Sequence, residues 1–161
     1  IDFHSNIWYY SNVMFNEFMS IAIEESKKAL RENEVPVGAV IVRNGTVIAK
    51  AHNMREKTHN SLAHAEIIAI NQACNFLGDW RLTDCDMYVT LEPCPMCSGA
   101  ILQSRIRNLY FGAYSKDNGC MGTVVNLPSL LKNSSINVYS GIMEDECSSV
   151  ISDFFKSQKS D

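Results

Sequence analysis

The apolar positions change spacing several times along the chain, and those changes outline its elements. Phe18, Ile21, Ala22, Ala29 and Leu30 return on one helical face with charges opposite. Asn16 suits the cap of that helix and Glu17 its first turn, so the helix is expected to begin at Asn16. It should stop near Asn33, because Pro36 restricts the residue before it. The preceding stretch, Ile1–Val13, is aromatic and Asn-rich and shows no clear period. Val37–Arg43 reads as a strand, and Asn44-Gly45 supplies two turn residues that tolerate positive φ. Thr46–Ala51 then returns as the second strand of a hairpin. His52–Leu62 is polar and loop-like.

Ala65–Leu77 is a helix carrying Ile67, Ile68, Ile70 and Ala73, ended by Gly78. Asp86–Thr90 is a short strand, Pro95–Ser104 a helix opened by a proline whose missing N–H costs nothing there, and Asn108–Ala113 a strand. Tyr114–Asn126 is irregular, and Asn137–Ser140 is the last short strand. Cys147, Val150, Ile151, Phe154 and Phe155 keep helical spacing behind an acidic first turn, Glu144-Asp145-Glu146. A hairpin followed by alternating helices and strands predicts an α/β protein, its sheet covered by helices on both faces.

No linker, repeat or low-complexity segment divides the chain. A single domain over residues 14–158 is therefore expected, with 1–13 as an N-terminal extension and Met14 as a candidate start. At 161 residues, 46% of them apolar, the chain is long enough for a full hydrophobic core. No apolar run reaches the roughly 18 residues of a membrane span. No basic-then-apolar stretch opens the chain, so the expected compartment is cytoplasmic. Six cysteines in such a chain are expected to be reduced thiols, with Cys74, Cys85, Cys120 and Cys147 as small buried hydrophobes. The net charge of −4 argues against bulk attraction to nucleic acid, although a local basic patch would suffice for binding.

Two short motifs carry the chemistry: His64-Ala65-Glu66 and Pro93-Cys94-Pro95-Met96-Cys97. Cys94 and Cys97 are spaced so that a turn presents both sulfurs to one metal, at a helix start whose partial positive charge favours thiolates. His64 falls at the start of another helix, where the first residue need not be helical, so His64 and Glu66 can converge. One histidine and two cysteines can hold zinc and leave its fourth position open for water, whose pKa then falls to about 7. Glu66 is not needed as a ligand and is free to carry the proton of that water. A closed structural site would want a fourth protein ligand, and neither Cys85 nor Cys120 has partner-like spacing.

This constellation resembles the zinc-dependent nucleobase deaminases, whose signature is H-x-E followed by P-C-x-x-C. Val35-Pro36-Val37-Gly38-Ala39-Val40, Asn53, Cys97-Ser98-Gly99-Ala100 and Ser104-Arg105-Ile106 are similar to the bacterial tRNA-specific adenosine deaminases, the TadA type. The resemblance spans roughly Phe15 to Lys156. It implies the three-layer α/β/α cytidine deaminase-like fold, with a five-stranded mixed sheet, and a homodimer with one zinc per subunit. It implies hydrolytic conversion of the wobble adenosine of a tRNA anticodon to inosine, with no role for a membrane. His64, Cys94 and Cys97 would be the ligands. Glu66 would move a proton to N1 of adenine and then to the amine that leaves as ammonia. Asn53 would hydrogen-bond the purine; by composition alone it is a loop asparagine of the kind that makes turns.

Arg105 and Arg107 are candidate phosphate contacts, and Lys156 and Lys159 candidate tRNA contacts, against a default of solvated surface charge. Phe154 and Phe155 read as packing residues rather than base-stacking platforms. Two other functions fit the motifs. A deaminase of free guanine or cytosine would use the same chemistry and suits an acidic chain. An inactive zinc-stabilised binding module would be expected to have lost Glu66, which is present here.

Overall fold

A computed structural model of the chain describes residues 3–159. Five strands form one mixed sheet in the order β2-β1-β3-β4-β5: β1 Gly38–Arg43, β2 Thr46–His52, β3 Cys85–Leu91, β4 Asn108–Ala113 and β5 Asn137–Tyr139. β1 is antiparallel to both β2 and β3, while β3, β4 and β5 run parallel. The helices are α1 Phe3–Arg31, α2 Ala65–Leu77, α3 Pro95–Gln103, α4 Leu127–Leu130 and α5 Glu144–Gln158.

Successive strand residues alternate between two cores, as the two-residue period of a strand requires. Ala39 and Ile41, Met87 and Val89, and Leu109 and Phe111 face one side, where Ala65, Ala69, Ile70 and Ala73 of α2 and Ile101 of α3 cover them. Val40 and Val42, Tyr88 and Tyr110 face the other, covered by Phe18, Met19, Ala22 and Ile23 of α1 and Cys147 of α5. On that second face Tyr88, Tyr110 and Tyr139 stand in register across three strands and stack at 4.5 and 4.8 Å. Helices therefore cover both faces, as the alternation of elements predicts.

Most boundaries fall where the apolar pattern places them. The hairpin turn has positive φ at both Asn44 and Gly45. α2 covers Ala65–Leu77 and ends at Gly78. The first helix departs from expectation. Residues 1 and 2 of the expected extension lie outside the described residues, but from Phe3 the backbone is helical without a break. Asn16 is thus an exposed interior residue and not a cap. No glycine or proline interrupts residues 3–31, and lengthening an existing helix costs far less than starting one, so a capable N-cap residue is overrun. Met19 and Ile23 join the buried face of α1, whereas Ile21 and Leu30 are only partly covered.

Among the other expected core residues, Phe154 is buried but Phe155 is 49% exposed, because consecutive helical positions point in different directions. Cys85, Cys120 and Cys147 are buried, Cys74 is half-buried, and all six cysteines are free thiols. The short α4, inside a segment with no apolar period, was not expected from the pattern. No helix among the described residues is long and apolar enough to cross a membrane.

The topology gathers particular chain ends at one end of the sheet. Gly38, which opens β1, pairs with His52, which closes β2. Because β1 is antiparallel to β3, the start of β1 also lies beside the end of β3, with Ala39 opposite Val89. The Val35–Val37 segment, Asn53 and the Glu92–Cys94 segment therefore emerge together.

Candidate active site

His64 precedes the first turn of α2 in an extended conformation, φ −75 and ψ 151. Cys94 does the same for α3, φ −71 and ψ 175, with Pro95 opening the helix behind it. Both side chains are thereby released from helical directions, while Cys97 is held one turn into α3 and fully buried. Nδ1 of His64 lies 3.7 Å from Sγ of Cys94 and 3.5 Å from Sγ of Cys97. All three ligand atoms lie within 4.8 Å of one another. A tetrahedral zinc bonded at roughly 2.1 Å to nitrogen and roughly 2.3 Å to sulfur sets those atoms about 3.6 Å apart. The donor set and its spacing fit one such ion, and no fourth His, Cys or carboxylate closes the group among the described residues.

The electrostatics suit a cation. The Cys97 hydrogen bond, with a further one from His64, lowers the Cys94 thiol to about 4. The same bond to Cys94 raises Cys97, as does burial. The hydrogen bond with Cys94 raises His64. Glu66, the second residue of α2, is 4% exposed. Burial raises its pKa, while its own backbone N–H and the Cys97 side chain hydrogen-bond it.

These groups line a cavity of about 820 Å³, and Asn53 lines it too. The cavity therefore joins all five residues expected from sequence: Asn53, His64, Glu66 and Cys94 at its wall, with Cys97 buried behind. The other candidates lie elsewhere. Arg107 holds Asp86 through three guanidinium contacts of 3.1, 3.2 and 3.3 Å, at the opposite end of β3 from Cys94. Arg105 sits over the Trp80 ring at 5.2 Å, and both arginines line a second cavity of about 790 Å³ that contains none of the His, Cys or Glu66 group. From α5, Phe154 and Gln158 reach the first cavity, rather than Lys156 or Lys159.

Two buried carboxylates at the cavity carry no motif that marks them. Glu92, 2% exposed, anchors the irregular segment after β4. Its Oε1 accepts the N–H of Met121 at 3.2 Å and of Thr123 at 3.0 Å, and its Oε2 accepts the N–H of Ser115 at 3.2 Å and the Thr123 hydroxyl at 2.5 Å. A Cβ at Gly119 would stand 2.3 Å from that Oε2, so the segment needs glycine there. Glu34, 1% exposed, accepts the Lys57 N–H at 2.7 Å and faces Asn53. Beside it, Glu25 and Glu32 flank the His52 ring at 3.1 and 3.3 Å, and Glu32 pairs with Lys57 at 2.9 Å. Three acidic side chains from the end of α1 and the turn after it thus grip the segment His52–Lys57. The only sequence signal for this is the density of acidic residues, which reads equally as a solvated face.

Residues 14–113 match the family described as the cytidine and deoxycytidylate deaminase zinc-binding region. The chain is 49% identical over 140 residues to a tRNA-specific adenosine deaminase of Bacillus subtilis (strain 168), covering 86% of this chain and 87% of that protein. It is similar to a solved structure from biochemical and structural studies of A-to-I editing by tRNA:A34 deaminases, with TM-score 0.80, 42% identity, and coverage of 83% of this chain and 98% of that one. A guanine deaminase of Nitrosomonas europaea shares the fold with TM-score 0.77 at 25% identity, covering 86% of this chain and 83% of that one.

Proposed function

The chain belongs to the cytidine and deoxycytidylate deaminase zinc-binding family, and from that premise we propose that it deaminates adenosine to inosine at the wobble position of tRNA anticodons. The observation that carries the chemistry is a buried Glu66 beside a three-donor metal group in one cavity. The tRNA substrate is supported by the 49% identity to a tRNA-specific adenosine deaminase over nearly the whole of both chains. An adenosine in an anticodon loop is unpaired, so turning it into a cavity costs little.

His64, Cys94 and Cys97 would hold one zinc, which when bound makes a water nucleophilic near neutral pH. The chain's own residues would do the rest. Glu66, acting as a carboxylate, takes one proton of the attacking water as the water's oxygen adds to C6. It delivers that proton to N1, then carries the proton of the new C6 hydroxyl to the exocyclic amine, which leaves as ammonia as the C6–N bond breaks and the carbonyl forms. Asn53 holds the base with its ring against this carboxyl. The cavity walls exclude bulk water and thereby strengthen each of these interactions. We place this machinery in a single domain over residues 14–158, working in the cytoplasm as a homodimer.

The test is a side-by-side assay of the zinc-loaded protein on anticodon stem-loops with adenosine at the wobble position and on free guanine and cytosine. Inosine in the stem-loops with no ammonia from the free bases is the expected result. Ammonia from guanine or cytosine, with no inosine in any stem-loop, would replace this reading with a free-base deaminase. Zinc binding without turnover on any substrate would indicate a binding module.

A further inference from the structure

We propose that Glu34 is a positioning residue for base recognition: it fixes the orientation in which the Asn53 amide meets the substrate. This rests on the substrate role proposed for Asn53. Asn53 is 7% exposed and follows directly on β2, its own N–H bonded to the Val37 carbonyl at 3.1 Å. Its Nδ2 faces two acceptors, Oε2 of Glu34 at 3.5 Å and the Val35 carbonyl at 3.3 Å. Its Oδ1 faces a donor, accepting the Arg55 N–H at 3.3 Å.

Exchanging the two ends of this amide would set Nδ2 against the Arg55 N–H. It would also set Oδ1 against a carboxylate and a carbonyl, neither of which has a proton to give. The surroundings thus permit one orientation. Of the three neighbours that impose it, two are backbone groups and Glu34 is the only side chain. Glu34 is itself held in place: its Oε1 accepts the Lys57 N–H at 2.7 Å, and it is 1% exposed. That bond spans 23 residues and ties the turn after α1 to the loop that carries Arg55 and Lys57 along the cavity. Glu34 therefore acts at two points of one wall, on the Asn53 amide and on the loop beyond it.

A neutral isostere separates positioning from bulk. In Glu34→Gln the side chain keeps its shape, but with its oxygen on the Lys57 N–H it turns an NH2 toward the Asn53 Nδ2, so one of the three contacts that orient the amide becomes a donor facing a donor. A misplaced hydrogen bond of this kind costs about ten- to a hundredfold in kcat/KM on the wobble-adenosine stem-loop. The loss should appear chiefly in KM, with zinc per chain unchanged. The deciding comparison is the double variant. If Glu34 acts through Asn53, then E34Q adds little to N53A, and the double variant matches N53A within about twofold.

Nuclear magnetic resonance gives a readout independent of turnover. The Asn53 side-chain amide protons should exchange slowly in the native protein and several times faster in E34Q. Native turnover with full activity in E34Q, or losses in E34Q and N53A that simply multiply, would overturn the inference. Absence of inosine from the native protein would instead count against the proposed function. The Asn53 amide exchange then decides the positioning role, and equal rates in native and E34Q protein would overturn it. If E34Q does not fold, Glu34→Asp, which retains the charge one methylene further back, carries the same comparison with a smaller loss.

Discussion

The cavity has two walls, built in opposite ways. The metal wall consists of His64, Glu66, Cys94 and Cys97, contributed by two helix starts and set by local rules: extended N-cap residues, a proline in the first turn, and a two-residue gap between sulfurs. The other wall, to which we assign base recognition as a proposal, consists of Asn53, Glu34 and the loop to Lys57, held by hydrogen bonds between residues 18 to 23 positions apart. The difference teaches where each property resides. The metal group is encoded in two short motifs. On the roles proposed for Asn53 and Glu34, selection of the base would depend on how the end of α1 meets the exit of β2.

Variants can sharpen this division. The largest effect is expected in the metal wall itself. Cys97→Ala removes a buried ligand at the base of α3 and should abolish both zinc retention and turnover, read as metal per chain after dialysis. Glu66→Gln keeps the shape but cannot shuttle a proton. It should lower kcat by about 10²–10⁴-fold with zinc still bound. A protein that lost zinc along with activity would show that Glu66 belongs to the metal site rather than beside it.

Asn53→Ala probes the other wall and should lower kcat/KM about ten- to a hundredfold while leaving metal content alone. Loss of zinc in that variant would break the comparison, since the walls would then not be separable.

Acidity acts on the metal wall by a different route. Cys94 is already a thiolate above about pH 4, whereas Cys97 and His64 hold their protons more firmly than usual. A metal must displace those two protons, so zinc affinity should climb as pH rises through neutrality. Each proton released contributes about tenfold per pH unit. Calorimetry in two buffers of different ionisation enthalpy counts them, and a pH-independent affinity would contradict this ordering of the thiols. The mildest change concerns the loop that Glu92 anchors. Gly119→Ala places a methyl against Oε2 of Glu92 and should cost about 1–3 kcal/mol of stability, read as a lowered melting temperature with zinc retained.

The same contrast explains what sequence reasoning can reach. The hairpin turn, the α2 boundaries and the alternating apolar strands follow from local pattern, and so does the grouping of His64, Glu66, Cys94 and Cys97, whereas Asn53 is expected only from the family resemblance. Glu34 and Glu92 do not, because an acidic residue reads as exposed until the chain folds backbone donors around it. The start of α1 is misplaced for a related reason: Asn16 can cap a helix, but only if the preceding residues decline to continue it. Arg105 and Arg107 show the converse. Their charge invites a phosphate, but Arg105 lies over Trp80 and Arg107 pairs with Asp86, both lining a cavity other than the one that holds Glu66.

The central claim is that this cavity adds water to adenosine through the carboxyl of Glu66. The most direct measurement follows the oxygen. The zinc-loaded protein is incubated with a wobble-adenosine stem-loop in water enriched in oxygen-18, and the product nucleoside is weighed by mass spectrometry. One labelled oxygen on each inosine, and no inosine from a Glu66→Gln protein that retains its zinc, is the predicted result. Inosine without label, or unimpaired inosine formation by the Glu66 variant, would contradict it.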